Sequence, residues 1–168
     1  DSMSDNGSNN LIEVDLTSIY HTNGSKVKWV HATTGWSHVI VRGVDTAGNT
    51  ITAAWGRCDM GQIPFSSDFT GSATSISSGY TAPVQLASLP NGEFVHEVWC
   101  GSEFSAATNR YGQLFMTGWN EHGNLGIDSG SGSDVNGHKK SKDSIGWQPV
   151  SDAEGKQVFL NHYPMHRS

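Results

Sequence analysis

The side chains able to do acid–base, nucleophilic or metal chemistry in this 168-residue chain are few and scattered. Two sequence pairs, His96-Glu97 and Glu121-His122, place an imidazole beside a carboxylate, the combination a general base and its orienting group would need. Successive side chains on a strand point to opposite faces, however, so adjacency alone does not build a dyad. No G-x-x-x-x-G-K-[ST] loop, G-x-S-x-G elbow or H-E-x-x-H helix is present to cradle phosphate, carry a nucleophile or hold zinc. Cys58 and Cys100 have no metal-ligand spacing and are too few for a disulfide framework. They read as small buried hydrophobes with reduced thiols. The expectation is a chain without catalytic residues, metal or cofactor.

Recognition by large side chains is the chemistry the sequence offers instead. Six tryptophans are present. Trp29, Trp55 and Trp99 lie in strand-like runs and are expected in the core. Trp36 and Trp119 lie in or beside Gly-rich turns, where exposure is expected. With Arg57, Asp59, Glu121 and His122 they make the composition of a protein-interface hot spot, in which rigid aromatics and Arg carry most of the binding energy. Aromatics that simply pack one structural unit on the next are an equal alternative.

Composition limits what can position these residues. Only 15% of the chain is charged, and Gly supplies 20 residues, while the helix-favouring Leu, Lys and Glu are sparse. Gly, Ser, Thr, Val and aromatics take their place, which argues for an all-β chain. A formal net charge of −6 opposes a main role in neutralising phosphate, so direct nucleic-acid binding is not expected. The basic run His138, Lys139, Lys140, Lys142 reads as a solvated loop. No stretch approaches the ~20 apolar residues that span a bilayer, and the N-terminus lacks signal-peptide character, so no membrane partner is expected. Two Asn-x-Ser sequons, at Asn6 and Asn23, together with the Trp content, are the support for a secreted carbohydrate-binding module.

An internal repeat organises the chain. One copy runs from Val30 through Gly35-Trp36-Ser37-His38 and Gly48 to Trp55-Gly56-Arg57 and Gly61. The second runs from Val98 through Gly101-Ser102-Glu103-Phe104 and Gly112 to Gly118-Trp119-Asn120, Gly123 and Gly126. Gly35 falls on Gly101, Gly48 on Gly112, Gly56 on Gly118 and Gly61 on Gly123. A partial third register matches Pro83-Val84 and Phe94-Val95 with Pro149-Val150 and Val158-Phe159. Each copy reads strand, turn, strand; Gly48 and Gly112 serve positive-φ hairpin turns, while Gly56 and Gly118 permit close backbone approach. The expected map is a disordered lead at 1–10, a blade region with the first repeat at 11–64, and a flexible Ser/Gly insertion at 65–82. A second repeat at 83–127, a flexible insertion at 128–146, and a partial blade with a tail at 147–168 complete it. Short antiparallel strands in repeats of this length fit β-propeller blades.

The pattern G-x-x-H/F, a hairpin Gly, then W-G-x-N-x-x-G-x-L-G resembles the RCC1-type repeat. Gly35 with His38 and Gly101 with Phe104 match its first half. Trp55-Gly56 with Gly61, and Gly118 with Asn120, Gly123, Leu125 and Gly126, match its second. Cys58 stands where the repeat has Asn, Pro64 where it has Gly, Thr117 where it has Trp, and Phe104 where it has His. The resemblance implies a seven-bladed propeller, of which these residues make part, the remaining blades coming from the same protein or another chain. His38 then reads as a structural hydrogen-bonding group between strands or blades. The segments Trp55 to Pro64, Gly101 to Glu103 and Gly118 to Asn124 are most similar to the Elongator-associated tubulin-suppressor branch of the family. That branch implies a non-enzymatic cytoplasmic and nuclear scaffold that binds a small CSL-type zinc protein and supports tRNA wobble-uridine modification and diphthamide synthesis. The family as a whole implies an alternative, guanine-nucleotide exchange on a Ran-type small GTPase.

Overall fold

The computed structural model describes residues 13–17, 19, 26–64, 79–127 and 144–160. The sequons at Asn6 and Asn23, the basic run at 138–142, the lead at 1–10 and residues 161–168 lie outside them.

Among the described residues, eight strands form two sheets, each a four-stranded antiparallel meander. The first holds β1 (Val27–Thr34), β2 (His38–Asp45), β3 (Thr50–Gly56) and β4 (Tyr80–Gln85). The second holds β5 (Glu97–Cys100), β6 (Phe104–Thr108), β7 (Leu114–Gly118) and β8 (Ser144–Pro149). β4 therefore begins inside the segment expected as a 65–82 insertion, and β8 inside 128–146. Both segments carry few large apolar residues, yet their ends complete a ladder already set by β3 and β7.

The registers superimpose strand for strand. His38 pairs with Gly56 and Phe104 with Gly118; Gly56 pairs in turn with Tyr80 and Gly118 with Ser144, each just past a register shift. Ala53 pairs with Gln85 and Phe115 with Pro149, so Pro149 answers to Gln85 rather than to Pro83. The partial third register of the sequence is thus displaced, because β4 and β8 are aligned by backbone pairing and not by their prolines.

Two glycine positions show why the motif has its form. A Cβ on Gly35 would lie 2.2 Å from the His38 ring, and one on Gly101 2.2 Å from the Phe104 ring. G-x-x-H/F is therefore a tight turn whose third-following ring lies against the glycine. Gly56 and Gly118 adopt φ of 102° and 115°, and a Cβ there would meet the carbonyls of Ser37 and Glu103 at 2.3 and 2.6 Å. That closeness lets Arg57 N donate to Ser37 O at 2.7 Å and Trp119 N to Glu103 O at 2.9 Å.

The strand period of two assigns the faces. Ile40 and Ala54 of the first sheet pack in one core with Val98, Ala107, Phe115 and Trp147 of the second. Their sheet-equivalents, Ala106 and Met116, lie on the far face of the second sheet, whereas Val41 and Ala53 occupy the far face of the first. The sheets stack head to tail, each fully buried large apolar side chain contributing about 1.5–3 kcal/mol. Trp147 is buried in this seam, and its Nε1 donates to Ala87 O at 3.1 Å. Trp99, expected in the core, is 41% exposed. β5 is an edge strand on which Val98 points inward, so the next side chain must point out. Trp29 and Trp55 are half-buried on the far face of the first sheet.

Candidate functional site

The residues singled out for partner binding gather at one end of both sheets. The β1–β2 turn carries Trp36, and Arg57 and Asp59 leave the end of β3 beside it. The β5–β6 turn carries Glu103, and Trp119, Glu121 and His122 follow β7. Trp36 N donates to Ser102 O at 3.1 Å, which ties the two turns together across the seam.

Beneath this surface a polar network joins the sheets. Arg57 is bound to Asp59 through Nε–Oδ1 at 2.6 Å and Nη2–Oδ2 at 2.8 Å, and reaches Glu103 Oε1 at 3.2 Å. The hydrogen bond from Arg57 holds the Asp59 carboxyl below its ordinary range, although partial burial pushes the other way. Gln62, wholly buried, donates to Glu103 Oε2 at 2.6 Å and accepts from Met60 N at 3.0 Å. Ser105 Oγ donates to Gln62 O at 2.8 Å and lies 3.0 Å from His38 Nε2. Thr117 Oγ1 donates to Gly61 O at 2.8 Å. Burial lowers the His38 pKa below the ordinary value, with the Glu103 carboxylate and the Phe104 backbone partly opposing it.

The predicted residues separate into two groups. Arg57 and Asp59 are engaged mainly with each other and with Glu103, so they brace the seam and offer only their outer edges to a partner. Trp36, 82% exposed, and the exposed Glu121 and His122 face solvent, while Trp119 is half-buried with its ring edge-on to His122 at 5.2 Å between centroids. The repeat positions Cys58 and Asn120 are both buried; Asn120 Oδ1 accepts from Leu125 N at 3.0 Å. Among the other repeat glycines, Gly48, Gly61, Gly112, Gly123 and Gly126 all have positive φ in turns.

Sequence reasoning missed Glu103, Gln62, Ser105 and Thr117 as the groups that fasten the sheets. It also missed an Asx turn at three places. Asp45 Oδ1 accepts from Ala47 N and Asn49 N, Asn109 Oδ1 from Tyr111 N and Gln113 N, and Asp152 Oδ1 from Glu154 N and Lys156 N. The signal was legible: Asp or Asn stands three residues before the hairpin glycines Gly48, Gly112 and Gly155. Among the described residues no three His, Cys, Asp or Glu side chains cluster as metal ligands, and no helix is long and apolar enough to cross a membrane.

Repeated four-stranded meanders stacked face to face, each opened by a Gly–ring turn, define blades of an RCC1-type β-propeller. The solved structure of a yeast protein shares this fold. Prp20p from Saccharomyces cerevisiae, described with its binding properties to Gsp1p and histones, aligns with 81% of this chain and 32% of its own at 17% identity and a TM-score of 0.56. The structure of Kap60 bound to yeast RCC1 (Prp20) aligns over 83% of this chain and 27% of that chain, at 20% identity and a TM-score of 0.47. Human WBSCR16 aligns over 73% and 24%, at 19% identity and a TM-score of 0.46. The chain spans about a third of the length of Prp20p. No family model and no curated protein matches the sequence.

Proposed function

We propose that this chain is part of a non-enzymatic protein-interaction scaffold whose partner docks on the end carrying Trp36. The observation that supports this reading is the 82% exposure of Trp36 on a turn hydrogen-bonded across the seam. A large rigid ring on a fixed backbone loses little conformational freedom on binding, which is what makes Trp a frequent hot spot. Trp119, His122 and Glu121 extend the same surface on the next blade.

The partner in this reading is a small CSL-type zinc protein, met in the cytoplasm and nucleus. The complex supports Elongator-dependent wobble-uridine modification of tRNA and diphthamide synthesis. Its support is the motif resemblance of Trp55-Gly56-Arg57, Gly101-Ser102-Glu103 and Gly118 to Asn124 to the fungal alpha-tubulin suppressor. Pull-down with the immobilised zinc protein tests it: capture of the wild-type chain and loss with Trp36→Ala are expected. Failure to capture the wild type overturns the partner, and capture undiminished by Trp36→Ala overturns the surface.

A second reading, exchange of guanine nucleotide on a Ran-type GTPase, is favoured by the likeness to Prp20p, whose binding to Gsp1p is described. Accelerated release of a fluorescent GDP analogue from Ran on adding the chain would support it, and an unchanged rate would remove it.

A further inference from the structure

The Trp36 end carries more negative charge than its cations answer. The turn at Ser102-Glu103 fixes both indoles to one backbone: Trp36 N donates to Ser102 O at 3.1 Å and Trp119 N to Glu103 O at 2.9 Å. Arg57 N donates to Ser37 O, next to Trp36, so the Arg57 side chain enters the same surface. The charged residues described at this end are Asp59, Glu103, Glu121 and Arg57. One guanidinium answers both Asp59, at 2.6 Å, and Glu103, at 3.2 Å. Among the described residues no cation lies within ion-pair distance of the third carboxylate, on exposed Glu121. With histidine neutral, three carboxylates against one guanidinium leave a surplus of two negative charges. In sequence, the segments 65–78 and 128–143 that join β3 to β4 and β7 to β8 bring Asp68, Asp128, Asp134 and Asp143 against Lys139, Lys140 and Lys142, which does not reverse the sign.

Beside this surplus stands the 82% exposed Trp36 ring. An indole face attracts a cation through its quadrupole, and the aliphatic stem of Lys or Arg packs on the same ring. We infer that the partner segment docking here is basic. Its Lys or Arg stems lie across Trp36, and their cations meet Glu121 and the outer edges of Asp59 and Glu103. The inference rests on the Trp36 end being the docking surface and adds the chemistry of what docks; an acidic segment or a phosphate backbone would be repelled.

Fluorescence anisotropy of a labelled peptide of alternating Lys and Gly tests it on the full chain, with a Glu and Gly peptide as control. The Lys peptide is expected to bind at least about tenfold more tightly than the Glu peptide, and to weaken as salt rises. Trp36→Ala should weaken it about two- to fivefold, the equivalent of one exposed cation–π contact. Glu121→Lys should weaken it at least as much. Glu154→Lys makes the same change of charge in the exposed turn that follows β8 at the opposite end, and should weaken it less. Circular dichroism confirms that these exposed variants fold. Absence of binding, equal binding of the two peptides, indifference to Trp36→Ala, or equal effects of Glu121→Lys and Glu154→Lys overturns the proposal. Binding that emerges only when Lys139, Lys140 and Lys142 are changed to Ser assigns the surface to this chain's own lysines and overturns it as well. If the Lys peptide fails while capture of the zinc protein still depends on Trp36, the basic segment is refuted and the docking surface stands.

Discussion

Replacing Gly56 by Ala tests why the blades have glycine where β3 leaves the sheet. At φ of 102°, an L side chain is strained, and the new Cβ would stand 2.3 Å from Ser37 O and 2.7 Å from His38 Cα. Neither neighbour is a flexible side-chain tip, so the backbone must part and the 2.7 Å bond from Arg57 N to Ser37 O must lengthen. Strain of about 1–3 kcal/mol and a weakened hydrogen bond of about 0.5–1.5 kcal/mol give an expected loss of about 1.5–4.5 kcal/mol. Gly48→Ala is the control: its φ is 84°, but nothing lies within 4 Å of the added Cβ. Only conformational strain of about 1–2 kcal/mol applies there. Equilibrium urea unfolding followed by tryptophan fluorescence measures both variants, and the difference between them isolates close approach from positive φ. If Gly56→Ala costs no more than Gly48→Ala, the close-approach account of the repeat glycine is wrong.

Further outcomes follow from the seam and the rim. Ser105→Ala removes the hydroxyl shared by Gln62 O and His38 Nε2 in a fully buried site and is expected to cost about 1–3 kcal/mol in urea unfolding. Because burial lowers the folded pKa of His38 below 6.5, its neutral form is favoured in the fold. Its contribution to stability is therefore complete above about pH 6.5 and declines as pH falls from there through the folded value. His38→Phe, which copies Phe104 of the next blade, should flatten that part of the stability–pH curve; an unchanged slope would refute the assignment. Trp36→Ala should leave stability within about 0.5 kcal/mol, since its ring is exposed, and a larger loss would mark it as a packing residue. Burial pushes both the Cys58 and Cys100 thiols up in pKa. Both are expected to react slowly with a thiol reagent at pH 8 and rapidly in urea; fast native reaction at Cys58 would contradict its burial.

Much of the blade was legible before any coordinate. Gly48 and Gly112 mark hairpins because positive φ is a local backbone requirement, and local requirements are written in single residues. Gly35 and Gly101 were legible as repeat positions, but that each makes room for the ring three residues on was a finding of the structure. The short apolar run Val39-Ile40-Val41 and the matched order of glycines were enough to indicate repeated antiparallel units and an all-β chain. Trp36 could be read as exposed because it sits in a turn that no strand covers.

Pairings between distant segments were not legible. That Ser105 would meet Gln62, that Glu103 would hold Arg57 and Gln62, and that Trp147 rather than Trp99 would fill the seam depend on how one sheet seats on the next. The sequence determined the repeat, the turns and the absence of recognisable catalytic motifs, because each follows from short-range backbone chemistry. The tertiary structure alone decided which polar groups are consumed in joining the blades and which remain for a partner. Face assignment across a seam rests on register and on stacking between strands dozens of residues apart, and no local pattern encodes it.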